Sequence, residues 1–165
     1  MKNLKTLLFT MLVSGLTFLF ACGPSNDSSD SENTSTDATP AATANADIDP
    51  EAKSDSKGIG KFTEVKLGPI DPAMADKGEV IFNAKCSACH KMTEQKIVGP
   101  GLKDVTKRRT PEWIMNQITN PVEMSQKDPV AKALLEKHLT QMTFQNVTDE
   151  ETRQLLEYFR QNDSI

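Results

Sequence analysis

The sequence predicts an all-α domain in the C-terminal part of the chain, on three observations. Helix start signals recur: Asp71-Pro72, Thr110-Pro111 and Asp128-Pro129 each pair a capping residue with proline, and Thr148-Asp149-Glu150-Glu151 is a capping box. Behind each signal, apolar residues return at helical spacing. No alternating apolar–polar run of strand length is present.

The first predicted helix follows Asp71 and brings Val80, Ile81 and Phe82 up to a pair of cysteines. The second follows Thr110, carries Trp113, Ile114, Gln117 and Ile118, and is expected to stop at Pro121. A third starts at Asp128-Pro129, with Val130, Ala133, Leu134 and Leu135 on one side. The last bears Leu155, Leu156 and Phe159. Long loops join these four helices across residues 71–165. That segment holds 13 basic and 14 acidic side chains, which leaves a thin apolar core. Domains this small often rely on a metal or cofactor to complete the interior.

The N-terminal part reads differently. Lys2 and Lys5 precede the 14-residue apolar run Leu7–Phe20, too short for the ~20 residues that span a bilayer as a helix. It ends in Leu19-Phe20-Ala21-Cys22-Gly23, which resembles a bacterial lipoprotein signal, so Cys22 is the expected lipidated first residue of the mature chain. An uncleaved anchor helix is the competing reading. From Gly23 to about Lys57 the chain is Ser, Asn, Asp, Thr, Ala and Pro, with Ile48 the single large aliphatic side chain. Such a stretch cannot bury enough apolar surface to offset its ordering entropy. The expected organisation is a signal at 1–21, a flexible acidic tether at 22–70 and a folded domain at 71–165. A tether of ~40 residues has an r.m.s. reach of about 35 Å, enough to let the domain swing or to clear the envelope surface.

Composition narrows the function. The 165-residue chain has a net charge of −4, which gives no basic patch for nucleic-acid phosphates. Three cysteines cannot staple a disulfide scaffold, and two histidines exclude a three-histidine metal site. The chemistry must come from few residues. Cys86-Ser87-Ala88-Cys89-His90 is C-x-x-C-H, the attachment signature of c-type haem. Two thiols one helical turn apart can add across the two porphyrin vinyl groups, and the next residue offers an imidazole to the iron. A thiol–disulfide site would want a βαβ setting, which this sequence lacks. A zinc site would want a second histidine three to five residues away, whereas His138 lies far down the chain.

From these residues the chain resembles the class I (mitochondrial-type) monohaem cytochrome c family over about Ala73–Gln161. Further markers are Gly78-x-x-x-Phe82, Gly99-Pro100-Gly101-Leu102, Met142, and Asn146-Val147-Thr148-Asp149-Glu150-Glu151 before Tyr158. The resemblance implies a small cytochrome c fold of about four helices around one covalent haem c. In it the first and last helices cross closely at Gly78, with Phe82 and Tyr158 packed around the crossing. It implies His90 as one axial ligand and the Pro100 carbonyl as acceptor of its N–H. It implies Met142 as the second ligand, although the proline that usually follows this methionine is here Thr143. Other candidates for the second ligand are Met74, Met92, Met115, Met124 and His138; Met92 lies too near His90 and Met115 sits at core spacing. Arg108, Arg109 and Trp113 are the expected holders of the haem propionates.

The function these residues imply is a membrane-tethered one-electron carrier in the cell envelope, without catalysis on a small molecule. Its expected partners are redox proteins, such as a quinol-oxidising complex and a terminal oxidase or reductase. Lys85, Lys91 and Lys96 offer a weakly basic docking rim or plain solubilising charge. The competing function is a haem enzyme or gas sensor with an open or displaceable distal site.

Overall fold

The computed structural model describes residues 48–164, and among them finds six α-helices and no strand. The lipoprotein signal, Cys22 and the tether up to residue 47 lie outside the described residues. No described helix is long and apolar enough to cross a membrane.

Helix α1 (Pro72–Lys85) starts as the sequence predicts. Asp71 accepts hydrogen bonds from the N–H groups of Ala73 (2.9 Å) and Met74 (3.2 Å), and Pro72 occupies the first turn, where no donor is needed. At the other end of the chain, α6 (Asp149–Asp163) opens on the expected capping box of Thr148 and Glu151. These two helices cross at Gly78. A Cβ there would overlap the Gln154 carbonyl and lie 2.8 Å from Tyr158 Cβ, so only glycine admits this approach. Phe82 fills the space beside the crossing, 5.6 Å from the Tyr158 ring and 6.1 Å, edge-on, from Phe159. Burying Phe82 stabilises the pair by about 1.5–3 kcal/mol. A charged cluster within α6 reaches the start of α1: fully buried Glu157 accepts from Arg153 (2.5 Å) and Arg160 (2.7 Å) on its own helix and from the Asp71 N–H at 3.4 Å.

Between them lie four shorter helices: α2 (Val105–Arg108), α3 (Pro111–Thr119), α4 (Pro121–Lys127) and α5 (Pro129–His138). Pro121 does end α3, but it also begins α4, because a proline at the first helical position needs no N–H. Helix α2 has no apolar period and was invisible in the sequence. Its start is pinned from α6, where Asp163 accepts from the N–H of Asp104 (2.8 Å), the N–H of Thr106 (2.9 Å) and the Thr106 hydroxyl (2.7 Å).

The largest departure from expectation is the segment 48–70, which the sequence assigns to the tether. It lies along α3 and α4 as an irregular strap. Buried Asn116 donates to the carbonyls of Lys57 (3.0 Å) and Phe62 (2.9 Å) and accepts from the Phe62 N–H (3.0 Å). Glu112 accepts from the Val65 N–H (3.0 Å), and Met124 Sδ accepts from the Ile59 N–H (2.9 Å). The physical reason is that backbone groups carry this contact, so little apolar sequence is required. Ile59, Phe62 and Val65 add modest packing against the core.

Candidate functional site

The C-x-x-C-H motif begins where α1 ends. Cys86 caps the helix, its N–H bonded to the Phe82 carbonyl at 2.8 Å. A further turn then folds back: the N–H groups of Cys89 (3.0 Å) and His90 (2.9 Å) both reach the Cys86 carbonyl. Across the following loop, the Gly99 N–H bonds the Cys89 carbonyl (2.9 Å) and the Leu102 N–H bonds the Lys91 carbonyl (2.8 Å). The loop is therefore clamped to the motif on both sides of His90.

This clamp orients the imidazole. His90 Nδ1 lies 2.8 Å from the Pro100 carbonyl, which can only accept, so Nδ1 carries the proton and Nε2 keeps a free lone pair. Burial pushes the His90 pKa down, the Pro100 bond opposing, and so favours the neutral, metal-ligating form. Gly99 lies against the ring; any Cβ there would overlap it. Burial also pushes the Cys86 thiol up to about 11, with Lys85 opposing and Cys89 adding to it. A disulfide-exchange cysteine needs the opposite shift. The thiol–disulfide reading therefore loses its chemistry as well as its fold.

Two adjoining cavities open beside the motif. The deeper one is lined by Cys86, His90 and Met142 with apolar Ile114, Leu155 and Phe159. The outer one runs from Pro100 past Met142 to Arg108, Arg109, Trp113 and His138. Leu102, Val105, Trp113, Gln117 and Met142 line both, so they form a continuous crevice.

The structure thus brings Cys86, His90, Pro100 and Met142 together, and Cys89 stands at the motif turn, exposed. Met142 Sδ is 3.7 Å from Gln117 Nε2. Of the rival methionines, Met124 is fully buried under the strap and Met115 is buried in the core. The three residues expected at the propionates line the outer cavity, and some of their donors have other partners. Trp113 Nε1 donates to buried Asp128 (2.9 Å). Arg109 stacks 5.3 Å above the Trp113 ring and donates to the carbonyls of Ala52 (2.7 Å), Arg108 (2.9 Å) and Pro50. Arg108 donates to the Lys103 carbonyl (2.6 Å).

Among the described residues, the buried side-chain polar atoms without a partner are Gln117 Oε1 and both ring nitrogens of His138. Both residues line the crevice. Buried polar groups are otherwise nearly always satisfied. A group that fills the crevice and reaches them fits this pattern, and a haem with its apolar macrocycle and carboxylate edge has that character. Gln117 and His138 are the residues that sequence reasoning missed in this role. Gln117 read as one helical polar position, and His138 read only as a rival iron ligand.

A helical domain with a C-x-x-C-H turn beside an apolar crevice defines a c-type haem protein. The family model described as cytochrome c matches residues 75–163, and the chain belongs to that family, carrying one covalent haem c with its iron. Cytochrome c from Rhodothermus marinus is similar at 45% identity and a TM-score of 0.61, over 64% of this chain and 90% of that one. An engineered form from the same organism is 43% identical with a TM-score of 0.63, over 71% of this chain and all of its own. A cytochrome c-553-like protein of Synechocystis is 33% identical over 69 residues, 39% of this chain and 66% of that protein. The fold is the class I cytochrome c fold, with six helices among the described residues where the sequence suggested about four.

Proposed function

We propose that this haem-based electron carrier is tethered to the outer face of a bacterial membrane through lipidated Cys22 and shuttles single electrons between envelope redox proteins. In this reading Cys86 and Cys89 would form the thioethers, and His90 and Met142 would hold the iron. When bound, the haem supplies a one-electron couple. The chain's own residues do the rest. Pro100 holds His90 in the ligating tautomer, and the apolar wall of Ile114, Leu155 and Phe159 keeps water from the crevice. A thioether from Met142 would favour ferrous over ferric iron, which suits electron transfer better than bond chemistry. Electron donor and acceptor are redox proteins met in small, transient contacts. The single observation that carries the reading is that neutral His90, its Nδ1 engaged, and Met142 line one apolar cavity.

The test is the absorption spectrum of the ferric protein at the red edge of the visible range, where iron–thioether charge transfer gives a weak band. The band is expected in the native chain and absent in Met142→Ala. A band that survives this substitution overturns the ligand. For the anchor, growth on labelled fatty acid is expected to label the native chain and not Cys22→Ser.

Two observations favour a second reading, an open or displaceable distal site. Met142 stands in the loop 139–148, which has no regular structure, and an engineered Rhodothermus marinus relative is described bound to a carbene intermediate. Rapid carbon monoxide binding to the ferrous native protein would support that reading against the first.

A further inference from the structure

The carboxylate edge of the haem needs donors, and of those proposed from sequence Trp113 Nε1 and both terminal nitrogens of Arg109 already have partners, while Arg108 gives one terminal nitrogen to a backbone carbonyl. Trp113 donates to Asp128, Arg109 to three backbone carbonyls and Arg108 to Lys103. His138 stands apart. It is the last residue of α5, it lines the same outer cavity as the two arginines, and both its ring nitrogens are buried without a partner. The outer cavity is also the end of the crevice away from Cys86, whose thioether fixes the vinyl edge in the proposed function on which this inference rests.

We propose that His138 donates a ring N–H to a haem propionate and so positions the cofactor's carboxylate edge. The chemistry around the ring matches an anion. Lys96 from the loop after the motif and Lys137 beside it on α5 act on it as positive groups, and Arg108 and Arg109 line the same cavity. Glu51, on the strap, is the opposing negative charge, and it already meets Lys137 at 3.0 Å. Burial and these cations push the His138 pKa down, so the ring is neutral at pH 7 and offers one N–H. The position at the end of α5 is held by Leu139, which turns left-handed (φ 54°) with its N–H bonded back to Leu135. No proton or electron needs to leave the ring; His138 is a positioning residue.

Two measurements on the holoprotein test this. In the reduced, diamagnetic native protein, ring protons of His138 are expected to show nuclear Overhauser contacts to propionate methylene protons. Removing the donor is expected to raise the propionate pKa. The midpoint potential of His138→Phe would then begin its rise at a higher pH than the native protein as pH is lowered. His138→Gln, which keeps an N–H donor, is expected to restore the native profile. The inference is overturned by ring contacts to protein side chains alone. It is overturned equally by ring resonances shifted as an iron ligand's are, or by a His138→Phe profile that superimposes on the native one. The contact measurement needs no variant, so a misfolded substitution leaves it standing. Failure of the electron-carrier reading shows separately, as transfer lost with the propionate contact intact.

Discussion

The two walls of the crevice are built by opposite means. On the His90 side, backbone hydrogen bonds from Gly99 and Leu102 tie the loop to the motif, and a backbone carbonyl orients the ring. On the Met142 side, residues 140–147 make no backbone–backbone hydrogen bond among the described residues. Side chains hold that loop instead. Gln141 accepts from Ser125 (2.8 Å) and donates to the Pro121 carbonyl (3.2 Å), and Lys85 reaches the Asn146 carbonyl (3.2 Å). A wall clamped by backbone tolerates changes of side chain but not an added Cβ. A wall held by side chains has the reverse tolerance and opens at lower free energy.

The largest effect is expected from filling the space beside His90. Gly99→Val would place a branched side chain inside the imidazole and force the ring off the Pro100 carbonyl. Overpacking typically costs about 1–3 kcal/mol, and here, where the added atoms meet the ring itself, about 3 kcal/mol is expected, with the ligand shifting as well. The check is the low-spin spectrum and yield of holoprotein, both expected to collapse. A normal spectrum would show that the backbone clamp yields as readily as the opposite wall.

Next is Asn116, which does for the strap what Gln141 does for the distal loop. Asn116→Ala removes three hydrogen bonds to Lys57 and Phe62, at about 1 kcal/mol each in net terms. A fall in unfolding free energy of about 2–3 kcal/mol is expected in denaturant titration, with the strap opening first in amide exchange. Gln141→Ala is milder. It should cost about 1 kcal/mol of stability while speeding the displacement of Met142 by added imidazole, read by stopped-flow absorbance. Unchanged displacement kinetics would mean that the loop is held by something other than Gln141.

What the sequence disclosed follows the same division. The motif, Gly78, Gly99, Pro100 and the capping residues were legible because each imposes a local, directional requirement that one residue type meets. Helix α2 and the strap were not, because their support is a polar side chain distant in sequence: Asp163 for α2, and Asn116 and Glu112 for the strap. Such residues look like solvated positions until the fold carries them to an unpaired backbone group. Arg109 shows a role that the sequence did not disclose. It lines the crevice as a propionate holder would, and its guanidinium also holds the strap's carbonyls.

The smallest expected effect concerns the strap's dependence on pH. Glu112 is buried beneath it and bonds the Val65 N–H. Burial acts to raise its pKa, but hydrogen bonds from its own N–H and from Val65, with Lys57 close by, outweigh this and hold it below the usual carboxylate value. The ionised form is therefore the one that stabilises the packed strap. Its contribution is complete above the ordinary carboxylate range, near pH 4, and is lost as pH falls through the lower pKa of Glu112 itself. Protection of the Val65 amide against exchange, referred to a core amide such as that of Leu155, is expected to hold constant from neutrality down to that range and to decline below it. Glu112→Gln should remove the decline and leave protection uniformly lower, because a neutral amide is the weaker acceptor. If Val65 and Leu155 instead lose protection together, the strap is part of the same cooperative unit as the α1–α6 pair. The tolerance that separates the two walls would then stop at the crevice and not extend along the surface of α3.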